Sequence, residues 1–196
     1  PAGEPPRVVD IEGVAAVMPI DPVAGGTWIA ATEAGIVLVI LNGPEESGGA
    51  APRGPSRGRI IPALASSDSL DEVGRRLVMS DWRAYHPWRL IAVDGRRLLT
   101  ARPIGLRVRL SEQELPAAFM TTSSSFDEAG AAEHRARLFH RVITPISART
   151  QDLCHAHQWP DRPELSVLMS RPDARTVSRT VVDVGPIRSW ASEVWQ

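Results

Sequence analysis

Apolar and polar positions along the chain mark out strands first. From Gly25 to Asn42, reading GGTWIAATEAGIVLVILN, two apolar runs, Thr27–Ala31 and Ile36–Leu41, flank a Glu33-Ala34-Gly35 turn. β-Branched and aromatic side chains fill both runs, and glycine supplies the positive φ of a tight turn, so the stretch reads as a β-hairpin. No polar residue interrupts Ile36 to Leu41. That predicts a strand covered on both faces, in the middle of a layered fold. Val8–Val9 and Val14–Met18 predict two short strands before it. Trp88–Val93 and Arg97–Ala101 flank Asp94-Gly95, a strong hairpin signal. Ile104–Leu110 alternates apolar residues with Gly and Arg, as a half-buried strand does. Ala117–Met120 predicts a short strand, and Leu165–Met169 with Thr176–Val184 predicts a closing hairpin.

Elsewhere the spacing turns helical. Ile60, Ile61 and Leu64 predict a short buried helix. Ser69-Leu70-Asp71-Glu72 is a capping box opening a helix to about Met79, with Leu70, Val73 and Leu77 on one face. Ser125 to Glu128 is a second box, opening a helix to about Val142 with Ala132, Ala136 and Phe139 inward. Thr144-Pro145 reads as an N-cap with proline at the first helical position, starting a helix to about His157. Residues 1–7 form an extended lead-in. Gly43 to Gly58, rich in Gly, Pro and Ser, is the segment expected to move, and 185–196, with Trp190 and Trp195, reads as a loose tail. Hairpins outnumber crossovers. The expected class is α+β, with mainly antiparallel sheets and helices packed outside, in a single domain over 1–196.

Composition narrows the chemistry. The 196 residues are 43% apolar and 23% charged, as in a soluble globular protein. No run is long enough to span a membrane. The single cysteine, Cys154, excludes an internal disulfide and suits the cytoplasm. All 22 basic residues are arginine, which excludes Schiff-base chemistry and a Walker-type phosphate loop within this chain. Net charge is −1, and the seven arginines from Arg83 to Arg109 alternate onto solvent faces without an aromatic ladder. No nucleic-acid partner is expected. Pro1 as a catalytic base would need a buried strand that Ala2-Gly3-Glu4-Pro5-Pro6 cannot form.

Cys154-His155-Ala156-His157 has the look of a metal or haem cluster, but these positions share a helix face only in part and no second ligand group has metal spacing. The expectation is no metal and no cofactor, with Cys154 packed inward and both histidines at the helix end. His134 and His140 point to different sides of their helix. Composition leaves a Ser-His-Asp triad open, though no Gly-x-Ser-x-Gly elbow exists. Asp127 and Glu128 read as helix-start charge. Three polar features lie at ends of core elements, where layered proteins build sites: Asn42, Thr122-Ser123-Ser124 and Arg175. Taken singly, each reads first as a turn former, a cap or a surface charge.

Together, Gly25-Gly26-Thr27-Trp28, Leu41-Asn42-Gly43, Ser56-Arg57-Gly58, Thr122-Ser123-Ser124-Ser125-Phe126 and Asp173-Ala174-Arg175-Thr176-Val177-Ser178 resemble the transport and Golgi organisation 2 family, also called the NRDE family. The pattern runs in order from about Pro5 to Val184 and resembles bacterial members most. The resemblance implies an N-terminal-nucleophile hydrolase-like fold, an αββα sandwich of two mainly antiparallel sheets between helical layers. It also implies an amide hydrolase whose N-terminal cysteine attacks and whose α-amino group is the base. Members start Met-Cys, with Asn-Arg-Asp-Glu on the next strand. Both are absent here, and Pro1 to Pro6 resembles the segment just after them, so two N-terminal strands are expected to be missing and the chain inactive as it stands. By position, Asn42 implies an oxyanion-side group, and Arg175 the arginine that stabilises the nucleophile. Ser123 falls where eukaryotic-type relatives have Asn. Gly25, Gly26, Thr27, Trp28 and Thr122 are expected to line the substrate. Cys154, far along on a helix, does not replace the nucleophile. The alternative is a non-catalytic protein that binds or carries haem or an acyl lipid. The expected ligand is a small molecule: an amide, haem or an acyl lipid.

Overall fold

The computed structural model describes residues 4–43, 54–124, 127–172, 174–184 and, for the backbone, 189–194. The expected mobile segment lies mostly outside the described residues, as do Ser125, Phe126 and Asp173. The chain separates into two compact units, Pro1–Leu115 with Val181–Ser192, and Pro116–Thr180 with Glu193–Gln196.

In unit 1, seven strands lie side by side in sequence order, all antiparallel: β1 (Arg7–Ile11), β2 (Val14–Met18), β3 (Ile29–Thr32), β4 (Val37–Asn42), β5 (Trp88–Val93), β6 (Arg97–Ile104) and β7 (Arg107–Glu114). β4 is fourth of the seven, the central place its apolar run predicts. Between β4 and β5 come α1 (Ile60–Leu64), entered through a 3-10 turn at Arg57–Arg59, and α2 (Leu70–Met79). α1 packs on β4 and α2 on β6 and β7. The core forms where Leu38, Ile40 and Leu90 of the sheet meet Leu64, Val73 and Leu77 of the helices. Ser69 caps α2 by accepting the Glu72 N–H at 3.3 Å.

Three details differ from the sequence expectation. β4 is not sealed on both faces. Leu38 and Ile40 are buried, whereas Val37, Val39 and Leu41 are half-buried. Strand period sends alternate side chains to opposite faces, and only the helix-facing row is fully covered. Thr27 and Trp28 precede β3 rather than open it, because the Thr27 N–H is engaged by another loop. The strand expected over Ile104–Leu110 is the end of one strand and the start of the next. Ile104 pairs with Arg107 across a Gly105-Leu106 loop, with Gly105 at φ +56°. A two-residue loop preserves the alternation, so the pattern runs through the turn unbroken.

Unit 2 holds α3 (Glu128–Val142), α4 (Ala148–His155), a 3-10 turn at Pro163–Leu165 and a short ribbon of β8 (Ser170–Arg171) with β9 (Ala174–Arg175). Ala117–Met120 is not a strand, and Leu165–Met169 is a turn and bends, so the closing hairpin shrinks to this ribbon. α3 is capped by Asp127, whose carboxylate accepts the Gly130 N–H at 2.8 Å. Its buried row is Ala131 and Leu138, with half-buried Arg135 between, one position off the expected Ala132, Ala136 and Phe139. Small alanines set the phase of a helix face poorly, and an arginine stem fills the row instead. α4 starts after Ser147, which forms a capping box with Thr150, and the Thr144–Pro145 peptide, which is cis, lies before the helix. β10 (Ser178–Asp183) pairs with β11 (Ser189–Val194), so the expected loose tail contains a strand. The class is α+β with antiparallel sheets, as expected.

Candidate functional site

Unit 1 gathers segments that are far apart in sequence. Asp21 starts a turn by accepting the Val23 and Ala24 N–H groups on its carboxylate. The turn closes through Gly25 N–H to the Asp21 carbonyl and Asp21 N–H to the Gly26 carbonyl, both at 2.8 Å. Gly25 sits at φ +66°, a conformation that favours glycine. Gly26 is glycine for a different reason. A Cβ there would lie 2.5 Å from the carbonyl carbon of Gly58. The two backbones touch, and the Thr27 N–H donates to the Gly58 carbonyl at 2.9 Å. Thr27 is buried and its hydroxyl donates to the Ile29 carbonyl at 2.8 Å. The Trp28 carbonyl accepts the Ile40 N–H at 2.9 Å, which ties this turn to β4.

A second knot lies at the end of β4. The Pro87 carbonyl accepts two donors, the Gly43 N–H at 2.9 Å and the Arg57 guanidinium at 2.6 Å. Ser56 accepts the Gly58 N–H at 3.3 Å and opens the 3-10 turn that carries Arg57. Asn42 stands next to this knot, opposite Trp88. It continues the Leu38–Ile40 row, but is exposed where that row meets solvent. Its amide makes no hydrogen bond among the described residues.

In unit 2 the organiser is Arg135. Its Nε donates to the Leu165 carbonyl at 2.9 Å and Nη2 to the Ser166 carbonyl at 3.0 Å. Nη1 donates to the Thr122 hydroxyl at 2.6 Å and to the Ser123 carbonyl at 3.1 Å. One planar fork therefore fixes the 122–123 and 165–166 segments together. Burial pulls the Arg135 pKa below its ordinary value, against the opposing field of Glu128. Glu128 accepts the Ser124 N–H at 2.5 Å and holds the other end of the same loop. Ser123 thus contributes its backbone carbonyl to this network. Arg175, at the end of β9 opposite Ser170, is exposed. Its neighbour Thr176 donates to the Val167 carbonyl and accepts the Met169 N–H, which fixes the ribbon to the segment after Ser166.

Cys154 is half-buried on α4, and burial pushes its thiol pKa up, the wrong direction for a nucleophile. His157 packs edge-on to Trp159 with ring centroids 4.5 Å apart, and His134 meets the same indole at 5.9 Å. Among the described residues no group of three His, Cys, Asp or Glu is placed to hold a metal ion. No helix among them is long and apolar enough to cross a membrane.

The structure thus joins Gly26, Thr27 and Trp28 to Gly58 and β4, and separately joins Thr122 and Ser123 through Arg135. Arg57 and Arg135 were not among the expected site residues. Arg57 belongs to one of the quoted motifs. Arg135 was detectable only as the polar member, at i+4 from Ala131 and i−3 from Leu138, of a helix stripe.

No protein-family model matches the chain. No curated protein matches it either. Its structure is similar to that of penicillin V acylase from Agrobacterium tumefaciens, with TM-score 0.48 and 13% identity over 92% of this chain and 66% of that one. It is also similar to a variant of conjugated bile acid hydrolase from Clostridium perfringens, with TM-score 0.36 and 15% identity over 66% of this chain and 43% of that one. The chain spans less than two thirds of the length of either.

Proposed function

We propose that this chain is the scaffold of an NRDE-family amidohydrolase of the N-terminal-nucleophile type, acting on a small acyl-amide in the cytoplasm. The observation that supports it is the meeting of motif segments in unit 1. Gly26-Thr27 docks on Gly58, and Gly43 and Arg57 share one carbonyl beside Asn42. These are the residues that carry the family resemblance, and the contacts give them a common structural reason. In this proposal the nucleophile is a cysteine at the start of a Met-Cys and Asn-Arg-Asp-Glu segment that the 196 residues do not hold. Its thiolate sulfur attacks the amide carbonyl, its own α-amino group takes the thiol proton and returns it to the leaving amine, and water then cleaves the acyl-enzyme. Asn42, at the end of β4, donates toward the oxyanion. Asn42 suits that role because it is exposed at a strand end.

The test compares hydrolysis of a panel of acyl-amides by the chain with and without its preceding coding segment. Turnover is expected only with the segment. It should vanish when the new cysteine becomes Ala, and Asn42→Ala should lower kcat about 100-fold, the size of one lost oxyanion donor. A start codon directly before Pro1, or turnover by the 196-residue chain that survives Cys154→Ala, would overturn the proposal. Saturable binding of haem or an acyl lipid without turnover would favour the carrier reading.

A further inference from the structure

We propose that the outer edge of β7 is a docking strand for an extended partner segment in which apolar and acidic residues alternate. This goes beyond the hydrolase reading and does not depend on it. β7 ends the sheet. β6 pairs along its whole length on one side, and no strand pairs with it on the other among the described residues. Six of its eight residues are exposed. The two-residue loop makes Ile104 and Arg107 a hydrogen-bonded pair, so Val108, Leu110, Glu112 and Glu114 turn their backbone N–H and C=O groups outward. Edge strands are commonly shortened, bulged or broken by proline. β7 has eight residues in unbroken register and no proline.

Its two faces differ. On the face away from α2, Arg102 stands directly opposite Arg109, and Arg107 lies two pairs further on, opposite Ile104. All three are exposed and none meets a carboxylate among the described residues. Like charges placed directly opposite destabilise a sheet, so folding gains nothing from this arrangement. The glutamates of β7 lie on the other face, where Glu112 is held by Arg97 at 3.1 Å. On that face a groove runs between β7 and α2, with Leu70, Val78, Met79 and Leu110 along it and the charged Asp71, Arg75 and Glu112 at its sides. Val78 is 61% exposed and Met79 77%. A strand laid along β7 sends alternate side chains to the two faces. One set meets the apolar side chains of the groove and the other faces the arginines, where only carboxylates complement the charge. Backbone pairing supplies affinity and the two faces set register and specificity.

The probe is a fluorescein-labelled peptide, Val-Glu-Leu-Glu-Val-Glu-Leu-Glu, titrated with the full chain and followed by anisotropy. Controls are a peptide of the same composition with its glutamates in one block, and one with Lys for every Glu. The alternating acidic peptide is expected to bind at least about tenfold tighter than either. The double variant Arg107→Glu with Arg109→Glu should invert the preference toward the Lys peptide, which a misfolded variant could not do. Amide exchange at Leu110 and Glu112 should slow in the complex. Equal binding of the blocked peptide, no inversion, or binding without slowed exchange would overturn the proposal. So would displacement of the peptide by phosphatidylserine vesicles, which would make this face a lipid-binding surface.

Discussion

The two units fix their loops with a different balance of means. Unit 1 does it mainly with backbone on backbone, helped by the Arg57 guanidinium on the Pro87 carbonyl, over a continuous apolar core in which Leu38, Ile61 and Leu77 are fully buried. Gly26 and Gly58 touch because neither has a side chain, and the contact is held by the sheet and helices around it. Unit 2 buries few large side chains, Leu138 and Leu165 among them, and relies on one guanidinium that collects three carbonyls and a hydroxyl. A core distributes its stabilisation over many small contacts. A fork concentrates it in one residue, so unit 2 should be fragile at one position and tolerant elsewhere.

The comparison breaks first at the core. Leu77→Ala should destabilise the chain by about 3–4 kcal/mol in urea unfolding followed by tryptophan fluorescence. A loss below about 1 kcal/mol would mean that the α2–sheet packing is not what holds unit 1. Next comes the fork. Arg135→Met leaves the Ser123, Leu165 and Ser166 carbonyls without their donor and should cost about 2–3 kcal/mol. Faster amide exchange should be confined to residues 116–180. Arg135→Lys should recover less than half, since an ammonium cannot match the planar fork. Full recovery would show that charge alone is at work.

Sequence patterning revealed unit 1 far better than unit 2, and the reason is visible in this contrast. Period-2 apolar runs and the Asp94-Gly95 turn mark the sheet because a core needs apolar residues at regular spacing. The failures there were local: the Gly105-Leu106 loop hid inside an unbroken alternation, and β4 looked equally apolar on faces that are unequally covered. Unit 2 is ordered by hydrogen bonds from Arg135 to backbone carbonyls, and carbonyls leave no trace in a sequence. Its helix pattern therefore points one position off the buried face, and the apolar run Ala117–Met120 predicts a strand that no neighbour supports. Of the site, the glycine pair and Asn42 were legible as polar or small residues at strand ends. What Gly26 and Arg57 contact was not.

A smaller effect separates two kinds of glycine. Gly26→Ala should cost about 2 kcal/mol, because its Cβ would meet Gly58 backbone at 2.5 Å. Gly58→Ala meets Thr27 backbone at 3.1 Å and should cost about half as much. The reverse order would refute the docking geometry. The smallest effect is on acidification. Burial, and then the charge of Arg141, lower the His157 pKa. The folded state therefore binds its proton less readily than the unfolded chain. The stabilisation is complete above the unfolded value of about 6.5 and declines as pH falls from there through the lower native value. His157→Gln should flatten this part of the pH–stability curve, and an unchanged slope would assign it to another group.

The strand order of unit 1 also bears on how fast it forms. Every strand pairs with its neighbour in sequence, and most closures span only a short turn. Such a sheet can zip from hairpin to hairpin on a microsecond scale. The exception is the joining of β4 to β5, which waits for residues 43–87 to come round. That single long closure carries most of the chain-entropy cost of the sheet. It should set the clock for the whole unit, with β1–β4 and β5–β7 assembling first as separate halves.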